Sequence, residues 1–274
     1  MTEAPLIADR NATGEIVTIQ FNRPRKRNAL SFEALRALHA ELRKLANDDV
    51  ARFLVLRGSE HTFCAGLDLR EALDGEPITR ECLSEFNLDV FQAEPEHVER
   101  GRVMPRLVQE AIKRIKLLPQ IVVGLAEGAA CGGGAGLLSG CDYVIGVKGF
   151  RFAFTETKRG IYPTLLFPFL RRKFPIAALL ELVLTARVGD VELAKEIGLI
   201  QRVANAGDAD QALEETLELL AANEPDSLRV AKRLFAEQTL PSDDEINEGW
   251  EGHCRSWNAE SCRKRVRDFL EKRA

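Results

Sequence analysis

An α/β core followed by a helical C-terminal part is the fold that this sequence predicts. Three observations lead there. Runs of β-branched and apolar residues alternate with helix-spaced segments up to about residue 173, the pattern of crossover connections over a largely parallel sheet. Beyond residue 173 nearly every segment has helical spacing. A glycine-rich stretch, residues 127–142, lies between two strand-like runs and suits a buried turn with close backbone approaches. Residues 1–173 are therefore read as the core that carries the site, and residues 174–274 as the helical part.

The elements follow in chain order. EIVTIQFN, residues 15–22, mixes β-branched and apolar residues and predicts a strand. After the basic loop RPRKRNAL, Ser31 offers an N-cap, and Phe32, Leu35, Leu38, Leu42 and Leu45 recur at helical spacing through residue 47. RFLVLRG (52–58) is a second, more buried strand; IVVGLAEG (121–128) and DYVIGV (142–147) are a third and fourth, and Arg151–Phe154 a fifth. Residues 71–118 form a long, charged, helical excursion between strands, the expected place for a substrate-facing lid. PIAALLELVL, VELAKEIGL, ADQALEETLELLAA and SLRVAKRLFAEQ are helical, with LIQRVAN strand-like among them. The charged segment from Ser242 onward is helical again.

The 274 residues suffice for one large domain or two modest ones. A net charge of -4, with short charge runs of mixed sign, gives no footprint for nucleic acid. From Ile121 to Val147 the chain is almost wholly apolar, yet Glu127 and Asp142 interrupt it and the span between them is too short to cross a bilayer. No membrane partner is expected. The six cysteines show no paired metal spacing, and the N-terminus MTEAPLIADR lacks the apolar core of a secretory signal. Free thiols in a reducing, cytoplasmic setting are the expectation. The four histidines have no metal-like spacing either, so no metal site is expected; His61, just before the first motif below, is the one to test.

Three segments could carry chemistry. HTFCAGLDL, residues 61–69, follows a strand, and its Ala65–Gly66 pair lets the backbone turn and leave amide hydrogens pointing outward. By itself it reads better as a plain strand-to-helix turn. EGAACGGGAGLLSGCD, residues 127–142, sets three glycines at 132–134 before an apolar helix start at Ala135–Leu138. It matches neither the P-loop nor the dinucleotide fingerprint. Its glycines serve either tight helix–sheet packing or a ligand held at unpaired helix-start amides. Two amides converging on one oxygen would stabilise an enolate by about 3–4 kcal/mol each. FAFTETKRGIYP, residues 152–163, supplies a proton-transfer candidate, Glu156, between a strand and a Gly160/Pro163 turn. Tyr162 in that turn is placed either to reach a pocket or to pack.

Taken together, NRPxxxNAL, FCAGLDL, GGGAGL…CD, FxxTExKxGIYP and LTARVGDVELAKEIGLIQRV stand in the order and at the spacing of the crotonase (enoyl-CoA hydratase/isomerase) superfamily, which the chain resembles from about residue 14 to its end. The resemblance implies a ClpP/crotonase-like ββα spiral core with a helical C-terminal trimerisation part. It implies an acyl-CoA substrate, no cofactor beyond the coenzyme A that the substrate carries, and a homotrimer or dimer of trimers. On the matching positions it implies an oxyanion hole from the amides of Ala65 and Gly133, with Gly66, Leu67 and Gly132 around it and Asp68 closing the first loop. Glu156 is the implied acid/base. Arg25, Lys26 and Arg27 are implied near the CoA adenosine, and Lys272 at the CoA phosphates of a neighbouring subunit.

One departure bears on mechanism. Hydratases of this kind carry a glutamate two residues after the glycine triplet, where this chain has Gly136. Thr164 also replaces a common glycine after the Ile-x-Pro turn, which is expected to reshape the acyl pocket. With one carboxylate left, hydration of a 2-enoyl-CoA is the leading expectation, and the TExKxGIYPT segment is similar to a branch acting on branched glutaconyl-CoA thioesters. Δ3–Δ2 enoyl-CoA isomerisation is the nearest alternative. A non-catalytic acyl-CoA-binding homologue and an acyl-carrier decarboxylase or dehydratase stay open.

Overall fold

In the computed structural model, which describes residues 4–92 and 94–272, the strand predicted at 15–22 runs over Ile16–Phe21. Val17, Ile19 and Phe21 alternate inward along it. It pairs parallel with Phe53–Gly58 and antiparallel with an edge strand, Leu6–Arg10, that the sequence reading left out. That edge strand buries only Leu6, so it has no inward alternation to reveal it.

From Phe53–Gly58 the sheet continues, all parallel, through Ile121–Ala126 and Tyr143–Val147 to Arg202–Ala204. Its central strands are covered on both faces, which is why they read as continuous apolar runs. Leu54, Leu56, Val122 and Val144 face the larger core beneath the helices Phe32–Leu45, Arg100–Leu117 and Gly133–Gly140. Phe53, Val55, Val123, Leu125 and Ile145 face a smaller one covered by the helix Ala209–Ala221. The Ser31 cap is as expected: its side chain accepts from the Ala34 amide.

A second sheet orders Gly189–Asp190, Arg151–Ala153 and Ala129–Cys131. Two strands, Gly189–Asp190 and Arg202–Ala204, thus come from beyond residue 173 and complete sheets begun before it. The helix Asp243–Asn258 in turn packs on Arg100–Leu117. A change of sequence pattern at 173 is real, but it marks no break between separately packed units. Among the described residues no helix is long and apolar enough to cross a membrane.

Candidate active site

Two lone bridges set the first loop. Cys64 pairs with Ala130: its amide donates to Ala129 O at 3.1 Å, and the Cys131 amide donates to Cys64 O at 3.0 Å. The motif after Phe53–Gly58 is thereby stitched to the short strand that leads into the glycine triplet. Three residues on, Leu67 pairs with Leu30, through Leu30 N to Gly66 O at 2.8 Å and Asp68 N to Leu30 O at 3.0 Å. Gly66 between them has φ +88°, and a Cβ there would stand 2.5 Å from Cys131 O, so the crossing requires glycine. Asp68 caps the helix Leu69–Asp74 and pairs with Arg23 at 3.0 Å.

These bonds correct the expected oxyanion donor. The Ala65 amide donates to Arg27 O at 3.0 Å and is therefore spent within the protein. In this parallel bridge Leu30 makes both bonds, to the residues on either side of Leu67, so the Leu67 N–H faces away from Leu30. The Leu67 amide accordingly has no acceptor among the described residues. Gly133 opens the helix Gly133–Gly140, and the first amide bonded back to the cap is that of Gly136, to Gly132 O at 2.9 Å. Among the described residues the Gly133 amide is thus left unbonded as well, and a Cβ built on Gly66 would lie 3.4 Å from it. The two loops present Leu67 and Gly133, rather than Ala65 and Gly133, as available donors.

Glu156 caps the tight turn Thr157–Arg159, and its carbonyl accepts from Arg159 N at 2.9 Å and Ile161 N at 3.1 Å. Its carboxylate lies over the glycine triplet: Oε1 is 3.1 Å from where a Gly132 Cβ would be. Oε2 is buried without a hydrogen-bond partner among the described residues. Burial pushes the carboxyl above its ordinary pKa, opposed by its own backbone amide and by the positive charge of Arg159.

A cleft of about 560 Å³ joins these parts. Arg25–Arg27, Ala65–Asp68, Gly132, Gly133 and Glu156 all line it, so of the expected site residues only Lys272 stands outside its wall. Lys272 is exposed at the end of the helix Glu260–Glu271. The basic turn Arg25–Arg27 is exposed at the cleft, and Val108, Leu165, Leu166, Leu170 and Leu179 make a hydrocarbon wall. A Cβ on Gly136 would meet Leu166 Cδ2 at 2.8 Å and Ile112 Cδ1 at 3.2 Å. Where hydratases of this kind hold a second carboxylate, this chain packs hydrocarbon.

Several expectations fail on geometry. Among the described residues of the 71–118 excursion only Val108 lines the cleft, so the segment does not cover the site as expected of a lid. His61 is exposed beside Glu127, 3.4 Å away, and Tyr162 is also exposed; neither lines the cleft. Thr164 turns from the cleft, its hydroxyl donating to Gly249 O at 2.9 Å. Conversely, Arg159, His253, Phe269 and Leu270 line the cleft unannounced. His253 is buried, bonded through Nε2 to Gly101 O at 3.0 Å, and burial pulls its pKa down to about 4. No three His, Cys, Asp or Glu side chains among the described residues are grouped to hold a metal ion.

Known proteins resemble this chain along most of its length. An enoyl-CoA hydratase of Mycobacterium tuberculosis is 29% identical over 266 residues, covering 95% of this chain and 92% of the relative. A 1,2-epoxyphenylacetyl-CoA isomerase of Escherichia coli is 29% identical over 210 residues, covering 75% and 71%. The crystal structure of an enoyl-CoA hydratase from Mycobacterium avium superposes with a TM-score of 0.79 at 25% identity, over 99% of this chain and 98% of that one. The family model for enoyl-CoA hydratase/isomerase matches residues 11–274, and the chain is an enzyme of that family, with the crotonase fold.

Proposed function

We propose that the chain hydrates a 2-enoyl-CoA thioester, with Glu156 as its acid/base and the amides of Leu67 and Gly133 as its oxyanion hole. The observation that carries this reading is Glu156 itself: a carboxylate of raised pKa with one oxygen over the turn that opens at Gly132, facing the same cleft as both amides. The thioester oxygen rests on the two amides. Glu156 takes a proton from water as its oxygen bonds to Cβ, electrons move onto the thioester oxygen, and the same proton then returns to Cα. Water is added across the double bond and nothing else is consumed, so coenzyme A carried by the substrate is the only cofactor-like group required. The hydrocarbon wall suits an apolar or branched acyl chain, and the exposed basic turn Arg25–Arg27 suits the CoA phosphates and adenosine.

A specific observation favours a second reading, Δ3–Δ2 isomerisation. Leu166 and Ile112 fill the second carboxylate's place, and one carboxylate suffices to carry a proton between Cα and Cγ. Separate incubations with 2-enoyl-CoA and 3-enoyl-CoA distinguish the two. Product heavier by one water means hydration, and double-bond migration without mass change means isomerisation. No turnover of either thioester overturns both.

Assembly belongs to the same proposal. Ile176, Leu180 and Leu184 recur at four-residue spacing and are 61%, 57% and 70% exposed, an apolar stripe that supports a homotrimer or dimer of trimers. Lys272 is then left to reach the CoA phosphates of a neighbouring subunit. Sedimentation as a monomer at micromolar concentration contradicts it.

A further inference from the structure

The last helix, Glu260–Glu271, ends against the turn that carries Glu156. One arginine takes part in that contact. The Arg159 guanidinium carbon lies 3.9 Å from the centre of the Phe269 ring. Arg159 Nη1 donates to Thr155 O at 2.8 Å, and the Arg159 backbone amide donates to Glu156 O at 2.9 Å. The side chain of Arg159 is therefore tied to the residue before Glu156 and to the final helix, while its backbone is tied to Glu156 itself. Gly160, with φ +71°, faces the same helix, where a Cβ on it would make ordinary contact with Arg265 Cδ at 3.4 Å and Cys262 Cα at 3.5 Å. The stack on Phe269 restrains the turn from moving away from the helix.

We propose that Phe269 and Arg159 are a positioning pair, which couples the C-terminal helix to Glu156 in the same chain and holds the carboxylate over the glycine triplet. This rests on the reading of Glu156 as acid/base given above. Among the described residues, Arg159 is the charged side chain that acts on Glu156. Other charged or titratable groups on the surrounding elements are engaged elsewhere. Lys158 donates to Ala186 O at 2.8 Å, Asp68 pairs with Arg23 at 3.0 Å, and Arg263 pairs with Glu99 at 2.7 Å. His253 is bonded to Gly101 O, Arg265 presents its Cδ to Gly160, and Lys264, Arg267 and Asp268 are exposed. Removing the guanidinium charge takes away an influence that lowers the Glu156 pKa. The acid limb of kcat/KM, where the carboxylate must be ionised, then moves to higher pH.

The test compares Phe269→Leu, Phe269→Tyr, Arg159→Met and Arg159→Lys, each confirmed folded by thermal unfolding, with Glu156→Gln measured alongside on the same thioester. Phe269→Leu keeps bulk and loses the ring; kcat is expected to fall about 5- to 10-fold with KM changed less than about 2-fold, and Phe269→Tyr to recover most of that loss. Arg159→Met is expected to lower kcat and raise the acid limb, whereas Arg159→Lys keeps the limb in place. Wild-type kcat and acid limb in folded Phe269→Leu and Arg159→Met overturn the proposal. So does a rise in KM at constant kcat, because Phe269 would then be wall alone. If Phe269→Leu does not fold, the two Arg159 variants decide. Glu156→Gln with normal turnover sinks the assignment of Glu156, while inactive Glu156→Gln beside normal Arg159→Met sinks only the coupling.

Discussion

The Ala65 amide donates to the Arg27 carbonyl at 3.0 Å, and that bond decides which amide of the FCAGLDL loop is left for a substrate oxygen. Replacing a peptide N–H by an ester oxygen at one position tests the assignment directly. The ester at Leu67 should lower kcat/KM about 100- to 1,000-fold, the worth of one oxyanion donor, with little loss of stability. The ester at Ala65 should instead cost about 0.5–1.5 kcal/mol of stability, the net worth of an internal hydrogen bond, with a far smaller catalytic effect. The reverse pattern would restore Ala65 as the donor.

Gly133→Pro probes the other donor at a position that tolerates proline. Gly133 is the first residue of its helix, where a proline N–H is not missed. A Cβ there meets nothing closer than Val108 Cγ1 at 3.4 Å. The variant should unfold close to the wild-type temperature while kcat/KM drops at least about 100-fold. Near-wild-type turnover in a folded Gly133→Pro protein removes Gly133 from the mechanism.

Restoring the second carboxylate meets a packing obstacle. Gly136→Glu drives a Cβ against Leu166 Cδ2 at 2.8 Å, so the single variant should lose about 1–3 kcal/mol of stability by overpacking. Gly136→Glu combined with Leu166→Ala should recover part of that loss. Denaturant melts of both variants and of Leu166→Ala alone measure the coupling. Additive effects would show that Leu166 is not what fills the space.

Much of this was readable in the chain. The central strands are apolar on both faces, so Phe53–Gly58 and Ile121–Ala126 announced themselves, and the glycines of 132–134 marked a helix start with open amides. Choosing Leu67 over Ala65 was a different matter. It depends on which side of the loop pairs with Leu30 and on the carbonyl that Arg27 offers from a segment nearly forty residues away, and neither leaves a trace in local residue types. Arg159 and Phe269 were missed for the same reason. Their contact joins two segments that read separately as a loop cation and a charged terminal helix. The pairing of Arg202–Ala204 was hidden likewise, because that strand is short and its parallel partner, Tyr143–Val147, is far back in the chain.

Glu156→Gln brings catalysis and stability into one experiment. Gln keeps the size of the side chain but neither takes nor returns a proton, so kcat should fall about 100- to 10,000-fold with acyl-CoA binding kept. Stability should move the other way. Burial holds the folded-state pKa of Glu156 above that of the unfolded chain, so the folded protein binds this proton more tightly. The cost of burying the ionised form is absent below the unfolded pKa of about 4.3, grows as pH rises, and is complete above the folded pKa. Oε2, buried with no partner, is the atom that bears it. Glu156→Gln should therefore unfold at a higher temperature than wild type near neutral pH, and the gap should close as pH falls towards about 4. Thermal melts over that range check the sign. A gap that widens on acidification would mean that the native carboxylate is stabilised by its surroundings, and a base held in that way would be poorly suited to take a proton from water.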